Sequence, residues 1–335
     1  MKTIKNKKID THHHIVPKEY VEMLEEINIT SSLGVDFPKW TPEISLAFMK
    51  KVGIEKAIVS ITSPGIYFKD HKEFSLKICR WTNKYMAHLK KEYPDKFGAF
   101  ASIPLGFVKE SIEELKYALD VLKLDGVCLL TNYDGNYLGD DKFEEFFKEL
   151  NNRKSVLFVH PTDPVEALDP NLQERGIPNS LIEVPFETTR IAANLIYSGT
   201  SYRYKNIKYI LSHGGGTIPY LAWRLAMISY GQKNKKTPVI KAMYDFLVKG
   251  SPEYGLKVLK DMYYDTAMTS GSYALNTLKQ FASSSQIVFG SDFPMAKVAP
   301  IIAKNLDKHA GFSEEDHENI DYKNCLELFT SIKNS

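Results

Sequence analysis

Short apolar, β-branched runs recur along this chain, and amphipathic stretches separate them. Eight such runs read as strands, at 8–15, 56–62, 97–104, 126–131, 155–160, 207–213, 262–267 and 286–292. They are apolar nearly throughout instead of alternating, as expected of strands buried on both faces. Between them the apolar residues recur at helical spacing. Thr41-Pro42-Glu43 opens a helix that Gly53 stops, with Thr41 as its cap. The stretch 70–93 is a long helix ended by Pro94, and Ser111-Ile112-Glu113-Glu114 reads as a capping-box start of a helix reaching Leu122. Further helices are expected over 141–151, 188–198, 218–230, 272–281 and 314–332.

Strand and helix in alternation point to parallel βαβ units, and eight strands close a (β/α)8 TIM barrel. An open doubly wound sheet is the competing arrangement, but its Gly-x-Gly-x-x-Gly phosphate loop is absent. We expect one domain spanning 1–335. Two connections, 17–40 and 161–187, are longer than plain loops. Both leave the C-terminal end of a strand, where barrel enzymes build their sites.

Composition narrows the possibilities. With 335 residues, 43% hydrophobic and 25% charged, the chain has the make-up of a globular protein. A net charge of +2 gives no reason to expect nucleic acid as a partner, and the run Lys233-Asn234-Lys235-Lys236 reads as solvated loop. The three cysteines, Cys79, Cys128 and Cys325, are far apart and form no CxxC pair, which favours a reducing cytoplasm. No apolar run is long enough to span a bilayer.

The polar residues then stand out by position. Ile9-Asp10-Thr11-His12-His13-His14-Ile15 places three of nine histidines in the first strand. In a regular strand Asp10, His12 and His14 share one face and His13 points away. Two imidazoles so placed can reach one cation; an exposed histidine cluster is the bland alternative. His160, His213 and Asp292 each end an apolar strand. Singly, each is explained as a hydrogen-bonded core histidine or a turn-capping aspartate. Gly214-Gly215-Gly216 reads either as a flexible turn or as a place where backbone approaches a ligand. In a barrel, all these strand ends converge on one mouth.

These motifs, Asp10-x-His12-x-His14, a strand-five His, His213-Gly214-Gly215 and Gly290-Ser291-Asp292-Phe293-Pro294, resemble the amidohydrolase superfamily. They look most like its metal-dependent decarboxylases of aminocarboxymuconate semialdehyde, γ-resorcylate and 6-methylsalicylate. Trp40-Thr41-Pro42-Glu43, Ser63-Pro64-Gly65, the segment 126–133 and the segment 211–219 extend the similarity over almost the whole chain. The resemblance implies that His12, His14, His160 and Asp292 hold one divalent metal, Zn²⁺ before Mn²⁺. It implies that His213 is an acid/base or orienting group, and that Asp292 is the proton donor with His213 assisting. His13 is not expected to be a ligand. The implied reaction is non-oxidative decarboxylation of a small aromatic or unsaturated carboxylic acid, with a hydrolase such as a lactonase as the alternative. Trp40, Phe37, Tyr67, Phe186 and Phe293 are candidates for an aromatic pocket. Arg190 is a candidate for a carboxylate or a structural ion pair. Relatives of this kind imply a homodimer or higher oligomer.

Overall fold

The computed structural model describes residues 7–164, 174–231 and 252–329. The run 233–236, residues 165–173 of the second long connection, and the last residues of the expected 314–332 helix lie outside them. Eight parallel strands follow one another around a single sheet in chain order. They are β1 (Lys8–Ile15), β2 (Ile54–Ile61), β3 (Phe97–Ser102), β4 (Gly126–Leu130), β5 (Val156–His160), β6 (Lys208–Leu211), β7 (Tyr263–Asp265) and β8 (Ile287–Val288). The sheet closes where the last strand meets the first. Thr11 N–H donates to Phe289 O at 2.9 Å, Asp292 N–H to His12 O at 2.9 Å, and His14 N–H to Phe293 O at 2.6 Å. The fold is therefore the (β/α)8 barrel.

Why these strands read as unbroken apolar runs is plain from the packing. One face of each meets the surrounding helices in an extensive core. The other face fills the barrel. Ile9, Ile58, Phe100, Cys128, Val156, Phe158, Ile210, Tyr263 and Val288, with every strand contributing, form one interior cluster. Cys325 and Phe329 from the C-terminal helical segment join it. The barrel interior is thus solid side chain.

The helix Pro42–Val52 has the expected ends: Thr41 Oγ1 accepts from Ile44 N–H at 3.4 Å, and Gly53 takes φ 79°. Elsewhere the boundaries differ from the sequence reading. The helix expected to start at Ser111 starts at Val108, and Ser111 Oγ donates to Pro104 O at 2.8 Å instead of capping. The helix expected over 188–198 runs from Asn179 to Tyr197 and carries Pro185 inside it. Proline lacks the amide for the helical ladder and reads as a breaker. Here the stretch is secured by Thr189 Oγ1–H, which donates to Pro185 O at 2.7 Å. Unforeseen elements include the helices Lys18–Glu25 and Ala299–Asp307 and the hairpin Ser31–Ser32 with Val35–Asp36. This hairpin leans on the second long connection, where Ser180 N–H donates to Leu33 O at 3.3 Å.

Candidate metal centre and pocket

The C-terminal ends of β1, β5 and β8 deliver His12, His14, His160 and Asp292 to one point, with a ligand atom of each within 4.8 Å of the others. All four are buried. Phe158, the top of the barrel core, supports the cluster from below, its ring centroid 4.9 Å from that of His12.

His12 and His14 share the cluster face as alternation requires, but the strand is not regular before them. Asp10 pairs with Ala57 and His13 with Val59, so three steps on β1 face two on β2. One extra residue is inserted, a β-bulge. The bulge overturns the expected placement of Asp10. It faces away from His12 and His14, and its Oδ2 accepts from His13 Nδ1–H at 3.0 Å. Its carboxylate also accepts from the amides of His12 (3.1 Å) and Ser291 (3.0 Å) and from Ser291 Oγ–H. Asp10 therefore clips β1 to the segment after β8. His13 carries the link outward: Ser45 Oγ–H donates to its Nε2 at 2.8 Å and accepts from Trp40 Nε1–H at 2.8 Å.

Each remaining histidine is oriented by its Nδ1. His12 Nδ1–H donates to Asp265 Oδ2 at 2.6 Å, and His160 Nδ1–H to Pro161 O at 2.8 Å. Both partners can only accept, so the proton sits on Nδ1 and Nε2 faces the cluster. His14 Nδ1 meets Ser60 Oγ at 3.2 Å. The Nε2 atoms of His12 and His14 lie 2.9 Å apart, and each is 3.3 Å from Asp292 Oδ1. Among the described residues His160 Nε2 meets no hydrogen-bond partner. Three converging nitrogen lone pairs and a carboxylate fit a divalent cation.

The electrostatics agree. Burial lowers the His12 imidazole, but the carboxylates of Asp265 and Asp292 outweigh it and push it up to about 10. Burial lowers His14, against the pull of Asp292, and lowers His160 much further with His14 and His12 adding to the effect. Burial opposes ionisation of Asp292, yet His12 and hydrogen bonds from His12, His14 and His213 hold its carboxyl well below the usual range. At His12 the two carboxylates favour positive charge, while His14 and His160 are kept neutral and free to offer a lone pair.

His213 stands just past β6 at φ 55°, with Nε2 3.5 Å from Asp292 Oδ2. Gly214, Gly215 and Gly216 continue at positive φ. Their lack of side chains serves close packing: a Cβ on Gly216 would lie 2.0 Å from Pro185 O. Above the cluster opens a cavity of about 380 Å³ that includes His160, His213 and Asp292. Leu33 and Val35 of the hairpin, Pro178, Leu181, Val184 and Pro185 of the second connection, and Met268 and Met295 wall it. The expected aromatic lining is absent from this wall. Phe293 stacks on Phe48 at 4.0 Å, Trp40 and Tyr67 belong to other contacts, Phe37 packs near Tyr20, and Phe186 is exposed. Arg190 is an ion-pair residue, bound to Glu187 at 2.8 Å and Glu183 at 3.3 Å. Sequence reasoning missed Asp265, Ser60 and the Pro161 carbonyl. For Asp265 the signal was present, a carboxylate ending the seventh strand.

Comparison with known proteins places this geometry. The amidohydrolase family model matches residues 9–330. The chain is 38% identical to the decarboxylase yanB of Aspergillus niger, over 93% of this chain and 83% of that one. It is 32% identical to the 6-methylsalicylic acid decarboxylase of Penicillium expansum, over 97% of each. Among solved structures it is similar to an amidohydrolase II, with TM-score 0.85 and 27% identity over 97% of this chain and 100% of that one. It also shares the fold of a dihydroxybenzoic acid decarboxylase from Polaromonas with bound manganese and 2-nitroresorcinol, with TM-score 0.78 and 18% identity over 97% of each. With its barrel, its strand-end cluster of three histidines and an aspartate and a family match over nearly its whole length, the chain belongs to the amidohydrolase family.

Proposed function

We propose that the protein is a metal-dependent, non-oxidative decarboxylase of a small aromatic acid, an ortho-hydroxybenzoate of the 6-methylsalicylate kind. The carrying observation is the cavity of about 380 Å³ set on the buried three-histidine, one-aspartate cluster. Its walls are aliphatic and suit a ring bearing an alkyl substituent. Among the described residues no lysine or arginine lines it, so the cluster end is the place for the substrate's carboxylate. The names of the relatives support the reaction and this substrate class.

His12, His14, His160 and Asp292 would hold one divalent ion, Zn²⁺ on the strength of three imidazole nitrogens, with Mn²⁺ accommodated by the same set. When bound, such an ion supplies the positive charge that fixes the carboxylate and ortho-hydroxyl and draws electron density from the ring. The aliphatic walls hold the ring over Asp292 and exclude water. Asp292, ionised at rest, takes the proton that the substrate's ortho-hydroxyl gives up and, with His213 3.5 Å behind it, passes it to the ring carbon that carries the carboxylate. A C–H bond forms there, the C–C bond to the carboxylate breaks, and its electron pair returns to the ring as CO₂ leaves. We further propose a reducing, cytoplasmic setting, in keeping with three buried free thiols. A homodimer or larger assembly is supported by the exposed Tyr220, Trp223 and Tyr273.

The test is CO₂ release by metal-loaded protein from a panel of 2-hydroxybenzoates. Silence on the whole panel, together with ring-opening of lactones, would replace this reading with a hydrolase. His12→Ala and Asp292→Ala should each lose bound metal by elemental analysis.

A further inference from the structure

Asp265 is fully buried and makes three hydrogen bonds that join two parts of the site. Its Oδ2 accepts from His12 Nδ1–H at 2.6 Å. Its Oδ1 accepts from the backbone amides of His213 at 2.7 Å and Ala267 at 3.0 Å. Room for the pair comes from Gly290: a Cβ there would lie 2.8 Å from His12 Cβ and 3.0 Å from Asp265 Cβ. Thr266 Oγ1 fixes Gly290 from the side, accepting from its amide at 3.1 Å and donating to its carbonyl at 3.2 Å. The chain thus sets aside space at the β7–β8 boundary for one carboxylate.

We infer that Asp265 is a positioning residue that sets two things at once: the tautomer of His12, hence its readiness to bind metal, and the location of His213. The inference rests on the metal-site reading above. A carboxylate is acceptor-only on both oxygens, so it can take the imidazole N–H on one side and two amides on the other. With Nδ1–H committed to Asp265, the neutral His12 imidazole that a metal selects presents Nε2 as its lone pair. The hydrogen bond from its amide to the other oxygen anchors His213 at φ 55°, a region uncommon for non-glycine residues. No neutral isostere satisfies both sides. In Asp265→Asn, an amide oxygen turned to the His213 and Ala267 amides points the NH₂ at His12, which must then protonate Nε2. Turned the other way, the NH₂ faces two amide donors and His213 loses its anchor.

The experiment compares zinc affinity, by competition with a chelating dye, and decarboxylation in wild type and Asp265→Asn. Wild type should bind one zinc, and the variant should bind it about 10- to 100-fold more weakly. At saturating zinc the variant's kcat should stay at least tenfold down with KM changed less than threefold, because His213 is displaced. Thermal melting of the metal-free proteins checks that both fold. Wild-type zinc affinity in the variant, or kcat fully restored by excess zinc, overturns the role of Asp265. Failure of wild type itself to bind zinc or manganese overturns the metal-site reading instead. Should the variant not fold, ¹⁵N-histidine spectra of zinc-loaded wild type decide: His12 protonated on Nδ1 supports the role, and protonated on Nε2 defeats it.

Discussion

At the scale of single residues, strand ends carried most of the readable information. His12, His14, His160, His213 and Asp292 were legible because a polar group at the end of an apolar strand is costly without a reason, and a barrel gathers such ends. Asp265 sits in the same position but follows two tyrosines and precedes a threonine, where a polar residue has an ordinary explanation. The side on which Asp10 lies was not legible, because alternation assumes a regular ladder and the bulge in β1 adds one residue. The pocket wall was misread for a related cause. Its residues come from loops, which have no periodicity to say where a side chain points. A prediction belongs here. His213 lies beside Asp292 but is not among the four groups that converge on one point. His213→Ala should therefore retain metal at wild-type stoichiometry while kcat falls by about 10²- to 10⁴-fold. Loss of metal on the same substitution would make His213 a ligand and not an acid/base group.

Elements were legible where propensity and packing agree. The helix Pro42–Val52 has both of its ends written in sequence. The helix Asn179–Tyr197 does not, since Pro185 signals a break that tertiary contacts override. Those contacts run through Gly216, at φ 64° and with its Cα against Pro185 O. Gly216→Ala places a methyl 2.0 Å from that oxygen in a backbone conformation alanine disfavours. The expected cost is about 2–4 kcal/mol, read as a lowered melting temperature. KM should also rise, because Pro185 and Val184 form part of the cavity wall. A variant with unchanged melting and unchanged KM would show that the helix does not depend on this contact.

The whole molecule is tied at both ends of the barrel. Beneath the core, Lys8 of β1 is buried with Asp307 at 2.6 Å and Asp321 at 3.4 Å. Burial pushes the Asp321 carboxyl up to about 6, against the pull of Lys8. The folded state therefore holds this proton more tightly than the unfolded chain does. Its contribution to stability is fully present below pH 4 or so and is lost as pH rises through about 6, amounting to roughly 2–3 kcal/mol. In Asp321→Asn that loss disappears. The variant should gain on wild type between pH 5 and pH 7 in thermal melts, with Lys8 still paired to Asp307; parallel curves would disprove the assignment.

At the other end, the hydrogen bonds that close β8 onto β1 impose an order on biosynthesis. Asp10 and Ser291 are 281 residues apart, so a ribosome that has just released β1 needs roughly 15–60 s more to deliver its seam partner. Until then His12 and His14 are on a nascent chain without Asp292. A chain stopped before the last strand carries His12, His14 and His160 but lacks Asp292. On the metal-site proposal, a chain stalled before Asp292 keeps three imidazoles without the carboxylate and should bind zinc more weakly than the finished chain, as a chelator competition would show.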